Sequence, residues 1–162
     1  MRLCAANDKG MKAIDLTGNE IAQTIIGNAG ENVLNGKEGR DSLKGLGGSD
    51  TFVFDTALSA VNIDNLSDFN PDEDKIWLDD DIFEALGGVA ASDADGKVGL
   101  DAAAFYASKK GVAHDADDRI LHDIRSGDLL YDADGTGSIA AVQFADLKGG
   151  LTLSAANFFL VA

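Results

Sequence analysis

From Leu16 to Phe52 the apolar positions keep a nine-residue beat. Ile25, Leu34, Leu43 and Phe52 stand in one column, with Leu16 one period earlier, and Gly18, Gly27, Gly36 and Gly45 stand in another. A third column runs Gln23, Asn32, Asp41, Asp50, and a fourth runs Ile21, Gly30, Gly39, Gly48. A period of nine suits neither an isolated helix nor an ordinary hairpin. It predicts a stacked coil in which a glycine turn of about six residues leads into a strand of about three. Glycine lets the turn adopt positive φ and lets neighbouring turns come close. The apolar column then points inward, and because one unit cannot bury its single side chain, stability must come from stacking.

Beyond the repeats the beat changes. TFVFDTAL extends the last coil strand through Phe52 and Phe54, and Ile63, Leu66, Phe69, Ile76 and Leu78 predict two short strands joined by a turn at Asn70 and Pro71. Asp79 to Asp81 before IFEAL, with Gly87 after it, predict a short helix, and a second is expected from Asp101 through AAAFYASKK to Gly111. RILHDI, RSGD and LLYDADG read as a hairpin, IAAVQFADL as the next strand, and LTLSAANFFLV as a last strand or buried tail. The expected fold class is mostly β: a short parallel β-roll of nonapeptide repeats, then an antiparallel β-rich capping unit with one or two short helices. The expected divisions are an unassigned segment 1–15, the repeats 16–54 and the cap 55–162. Residues up to about Asp15 show no pattern and receive no function.

The third column carries the chemistry. A glycine turn presents backbone carbonyls, an Asp or Asn at its end adds a side-chain oxygen, and two stacked turns surround a point with the hard oxygens that calcium prefers. These units resemble the repeats of the RTX (repeats-in-toxin, hemolysin-type calcium-binding) family, whose consensus G-G-x-G-x-D-x-U-x forms a calcium-binding parallel β-roll. The run from Asp64 to Leu78, D-x-L-x-D-F-x-x-x-x-D-K-I-x-L, is similar to the segment that follows such repeats.

The resemblance implies two nonapeptides per coil, with Ca2+ as the cofactor held between turns eighteen residues apart. One implied set comprises carbonyls of Gly27, Ala29, Leu46 and Gly48 with the side chains of Asn32 and Asp50. A second comprises Gly18, Glu20, Lys37, Gly39 and Asp41; there Gln23 replaces the acid, and Lys37 puts a cation nearby. In the family's turn geometry Asn19 and Asn28 would tolerate the left-handed conformation, whereas Lys37 and Leu46 would be strained. One or two ions are expected. A glycine-rich coil that stacks without metal is the alternative.

Composition narrows the function. The 162 residues carry 28 acids against 13 lysines and arginines, a formal charge of −15 spread along the chain. Nucleic acid and an anionic membrane surface are therefore not expected as partners, self-repulsion opposes compaction until cations arrive, and with no apolar run long enough to span a bilayer no membrane insertion is expected. The single cysteine, Cys4, excludes an intrachain disulfide. The first residues lack the apolar stretch of a secretory signal peptide. The resemblance implies a non-catalytic module that is secreted and folds outside the cell on calcium. Its export would use type I secretion machinery that reads a signal at the C-terminal end.

A polysaccharide-binding module of a larger secreted enzyme is the second reading, weakened because the basic residues do not cluster. Catalysis has little support: His114 and His122 fall in no H-E-x-x-H pattern, and no G-x-S-x-G elbow occurs. Asp132 and Asp134 resemble the opening of an EF-hand loop, but Gln143 stands where a bidentate Glu is needed, so a glycine-rich turn is expected. Asp93 and Asp95, and Asp115, Asp117 and Asp118, are further acidic loops able to take a weak ion at millimolar calcium.

Overall fold

The computed structural model describes residues 1–87 and 97–162. Each apolar residue of the nine-residue column is buried within a strand of three or four residues: β3 (Thr24–Ile26), β4 (Asn32–Asn35), β5 (Ser42–Lys44) and β6 (Thr51–Phe54). Consecutive strands go to opposite sheets, so each pairs in parallel with the strand two units along: Ile25 lies opposite Leu43, and Leu34 opposite Phe52. Partners are therefore eighteen residues apart. Strands this short are marginal alone; pairing on both edges and a shared apolar interior hold them.

The pattern starts earlier than the sequence suggests. The unassigned segment 1–15 contains β1 (Arg2–Cys4), parallel to β3, and the first half of β2 (Ile14–Thr17), parallel to β4. No glycine column announces them, yet Leu3 falls opposite Ile25 and Leu16 opposite Leu34.

It also continues later. β7 (Asp64–Leu66) and β8 (Lys75–Asp79) do not pair with each other; β7 joins β5 and β8 joins β6, both in parallel. Partner spacing opens to 23 and 24 residues. The extra residues go into the loops at 55–63 and 67–74, the second turning where Asn70 O accepts from Glu73 N and Asp74 N. The inward columns stay aligned as Leu3–Ile25–Leu43–Leu66 in one sheet and Leu16–Leu34–Phe52–Ile76–Phe158 in the other. Each fully buried member contributes roughly 1.5–3 kcal/mol by leaving water.

The remaining strands are β9 (Val98–Gly99), β10 (Phe105–Ser108), β11 (Ile120–Asp123), β12 (Asp128–Tyr131), β13 (Val142–Asp146) and β14 (Phe158–Val161). They do not form the separate, mostly antiparallel unit expected from the sequence. β13 extends one sheet in parallel beside β7, and β14 extends the other in parallel beside β8. The β11–β12 hairpin and the β12–β13 pair are antiparallel, as is β14–β9, whereas β10–β11 is parallel. Two mixed sheets of eight and six strands result. The open edges of β7 and β8 offer unpaired backbone groups, and the C-terminal strands satisfy them.

Neither expected α-helix forms. Residues 84–86 make a single 3-10 turn, and Ala102–Ala104 make another, capped where the Asp101 side chain accepts from Ala103 N, before Phe105 and Tyr106 enter a strand. One turn fixes too few hydrogen bonds to sustain a helix, and aromatic residues suit the pleated sheet better. An aromatic cluster ties the two halves: Phe144 lies edge-on to Phe54 at 5.1 Å and to Phe83 at 5.2 Å, and Phe83 meets Tyr131 at 5.1 Å.

Candidate metal centre

The turns at 36–41 and 45–50 are built alike. Lys37 (φ 68°) and Leu46 (φ 84°) adopt the left-handed conformation, as do Gly39 (φ 109°) and Gly48 (φ 97°). Among the described non-glycine residues only Lys37 and Leu46 do so, at a cost of roughly 1–2 kcal/mol each. Asn19 and Asn28 keep negative φ and use their side chains instead: Asn19 Oδ1 accepts from Ile21 N, and Asn28 Oδ1 from Gly30 N. The turns stack in the expected pairs, since Gly47 N donates to Asn28 O, and a Cβ on Gly39 would meet the backbone of Ile21 and Ala22.

The acids at the turn ends form two ladders. Asp50 Oδ1 accepts from Asn32 N (2.9 Å) and Asp74 Oδ1 from Asp50 N (2.9 Å). On the other edge Asp41 Oδ1 accepts from Gln23 N (2.6 Å) and Asp64 Oδ1 from Asp41 N (2.9 Å). Each carboxylate thus caps the backbone of the coil before it, and Asp68 does the same for Gly45 N and Leu46 N. The second oxygens of Asp41 and Asp50 lean over the first glycine of their own turn, Gly36 and Gly45. A Cβ on Gly45 would overlap Asp50 Oδ2, which is why this column admits no side chain.

Asp41, Asp50, Asp64 and Asp74 are all buried, and no salt bridge among the described residues reaches them. Burial pushes Asp50 up to about 7; the hydrogen bond from Asn32 N opposes this, while Asp74 and Asp68 reinforce it. Burial likewise pushes Asp64 up to about 7, against the hydrogen bond from Asp41 N and with help from the Asp41 charge. Asp41 and Asp74 are also raised, in both cases chiefly by burial. Such clusters are neutralised either by protons or by a hard cation.

The two implied ligand sets differ in how far their own chain satisfies them. In the Asn32/Asp50 set, Asn32 Oδ1 accepts from Asn28 N, and its Nδ2 donates to Asn28 Oδ1 and Gly30 O. Gly27 is buried, Ala29 half-buried, and Leu46 and Gly48 exposed on the facing turn. In the other set Gly18, Lys37 and Gly39 are half-buried and Glu20 is exposed. Here Gln23 Oε1 and Asp41 Oδ2 are buried with no hydrogen-bond partner among the described residues. The Lys37 ammonium, expected nearby, is drawn off to Asp55 at 2.7 Å. Donor chemistry in this ladder fits a hard divalent cation: oxygen acceptors only, two of them orphaned.

Asp64, Asp68 and Asp74 stand in the run that resembles the segment after the repeats, but sequence reasoning gave them no place in a ligand set. The signal was present as an acid two residues before each inward apolar side chain: Asp64 before Leu66 and Asp74 before Ile76 match Asp41 before Leu43 and Asp50 before Phe52.

Elsewhere the acidic loops serve their own backbones. Asp132 Oδ1 accepts from Asp134 N and Gly135 N, and Asp134 Oδ2 from Ser138 N and Ile139 N, a turn as expected, while Gln143 Nε2 donates to Asp128. Asp93 and Asp95 lie outside the described residues. His114, Asp115 and Asp118 bring ligand atoms within 4.8 Å of one another. Yet Asp118 Oδ2 already takes His114 N, Asp115 N and the His114 ring at 2.8 Å. Burial alone would raise Asp118; those hydrogen bonds outweigh it and hold the group below its ordinary value. His122 is fully buried, both ring nitrogens lack a partner among the described residues, and burial holds its pKa below the usual imidazole value.

Compared with protein-family models the sequence gives no match, and compared with curated proteins it gives none.

Proposed function

We propose that this chain is a non-catalytic, calcium-binding module of the RTX kind, a parallel β-roll that orders outside the cell when calcium enters its turns. The observation that carries the reading is the pair of buried carboxylate ladders, Asp41 with Asp64 and Asp50 with Asp74, each acid capping the backbone of the coil before it and none of them met by a salt bridge among the described residues. Buried charge without countercharge destabilises a fold by several kcal/mol per ion. Four such acids in a chain of net charge −15 favour an unfolded chain until a cation is supplied. Calcium would neutralise the ladders and staple successive coils; Asp41, Asp50, Asn32 and the turn carbonyls would hold it.

In this reading the module is secreted, and its last residues serve a type I exporter. β14 lies between β8 and β9 with Phe158 wholly buried, so an exporter would reach that strand only in the unfolded chain. Low calcium before export and abundant calcium after it would keep the two states apart.

The test is a calcium titration of the chelator-treated chain followed by far-UV circular dichroism and Trp77 fluorescence. Trp77 sits opposite Phe159 of β14, so its emission reports docking of the last strand. Cooperative gain of β signal at sub-millimolar to millimolar calcium, with magnesium far less effective, is the expected result. Identical spectra and melting curves with chelator and with about 10 mM calcium would refute it.

A further inference from the structure

We infer that a divalent cation binds between Asp41 and Asp64, a site that reaches past the nonapeptides into the strand that follows them. This inference rests on the calcium-binding reading above and locates an ion that the repeat pattern alone does not assign. Both carboxylates are almost fully buried, at 2% and 3% exposure. Each spends one oxygen on a backbone N–H of the preceding coil: Asp41 Oδ1 on Gln23 N and Asp64 Oδ1 on Asp41 N. The second oxygens converge over Gly36, where an added Cβ would meet Asp41 Oδ2 at 2.5 Å and Asp64 Oδ2 at 2.7 Å. No donor among the described residues answers Asp41 Oδ2.

A second, uncharged group points the same way. Gln23, 5% exposed, leaves Oε1 without a partner, and that oxygen leans over Gly18, as does the Gly36 carbonyl. Two oxygens on successive coils, Gln23 Oε1 and Asp41 Oδ2, thus have no donor among the described residues. The opposite ladder differs: there the Asn28 and Asn32 amides use up the acceptors, and Asp68 and Asp74 each cap two backbone N–H groups. An all-oxygen, dianionic, largely dehydrated pair suits calcium, which tolerates irregular ligand sets, better than magnesium, which retains several waters.

The experiment counts ions. Calcium stoichiometry of the full chain is measured by equilibrium dialysis and calorimetry for wild type, Asp64→Asn, Asp41→Asn and the Asp41→Asn/Asp64→Asn double variant. The Asn variants keep an oxygen for the backbone hydrogen bond while removing the charge. Asp64→Asn and Asp41→Asn are each expected to bind one ion fewer than wild type, the double variant no fewer than either single, and Asp64→Asn to melt higher than wild type in chelator. A wild type that binds calcium alongside an Asp64→Asn variant with unchanged stoichiometry overturns this site alone, the two acids then sharing a proton. A wild type that binds no calcium overturns the broader reading as well. Should one variant fail to fold, the other carries the same count.

Discussion

In the metal-free protein, acid should stabilise. Asp50 and Asp64 are held at about 7 in the folded chain against 3.8 for the free side chain. The folded state therefore keeps protons that the unfolded state has released. The stability these groups contribute is fully present below 3.8 and is lost as pH rises through about 7. At 1.36 kcal/mol per pKa unit each shift sets a ceiling of about 4 kcal/mol. The neighbours within each ladder titrate together, so half the ceiling, about 2 kcal/mol per ladder, is the reasonable expectation. For a chain of this size that corresponds to a melting point roughly 10 °C higher at pH 5 than at pH 7.5 in chelator. His122 acts in the opposite sense: burial lowers its pKa, so its contribution is present above 6.5 and is lost on acidification. Thermal melts by circular dichroism across this range, run for wild type and Asp50→Asn together, separate the two, because His122 is common to both. The variant should start higher at pH 7.5 and show a visibly flatter pH profile. Saturating calcium should reverse the slope, since protons then compete with the ion for the same oxygens. A metal-free melting point that falls on acidification, with variant and wild type running parallel, would refute the reasoning.

Three further outcomes follow from the turns and the core. Gly45→Ala places a methyl group inside Asp50 Oδ2 and should lower stability by about 1–3 kcal/mol, read by urea denaturation in calcium. Leu46→Gly relieves a left-handed leucine that is exposed and should raise stability by up to about 1 kcal/mol in the same assay. Asp50→Ala should weaken calcium binding more than Asp132→Ala, whose carboxylate only caps its own turn; calorimetry showing the reverse order would move the main ion to the C-terminal strands.

What the sequence made legible is whatever obeyed the nine-residue beat. Ile25, Leu34, Leu43 and Phe52 announced the interior, and the glycine and acid columns announced the turns, because identical turns must place identical side chains in identical surroundings. Where the coil length changes, that logic loses its ruler. β1 was hidden because Leu3 pairs with Ile25 outside the eighteen-residue spacing. Asp64 and Asp74 were hidden because loop insertions move them to 23 and 24 residues from their partners, although each keeps its place two residues before the inward apolar side chain. The docking of β13 and β14 in parallel on β7 and β8 leaves no local trace at all, since pairing over such distances is decided by which edges remain open.

The same contrast bears on the choice of site. From residue types, Asn32 with Asp50 is the fuller calcium set, and Gln23 with Lys37 spoils the other. Packing reverses the order: Asn28 and Asn32 satisfy each other, the Lys37 ammonium goes to Asp55, and Asp64 arrives from outside the repeats to face Asp41. A ligand set read from a repeat counts the oxygens a turn contains. Affinity depends on those left unsatisfied once the backbone has taken its share, and in this ladder that remainder among the described residues is Gln23 Oε1 and Asp41 Oδ2, the latter leaning over Gly36 together with Asp64 Oδ2.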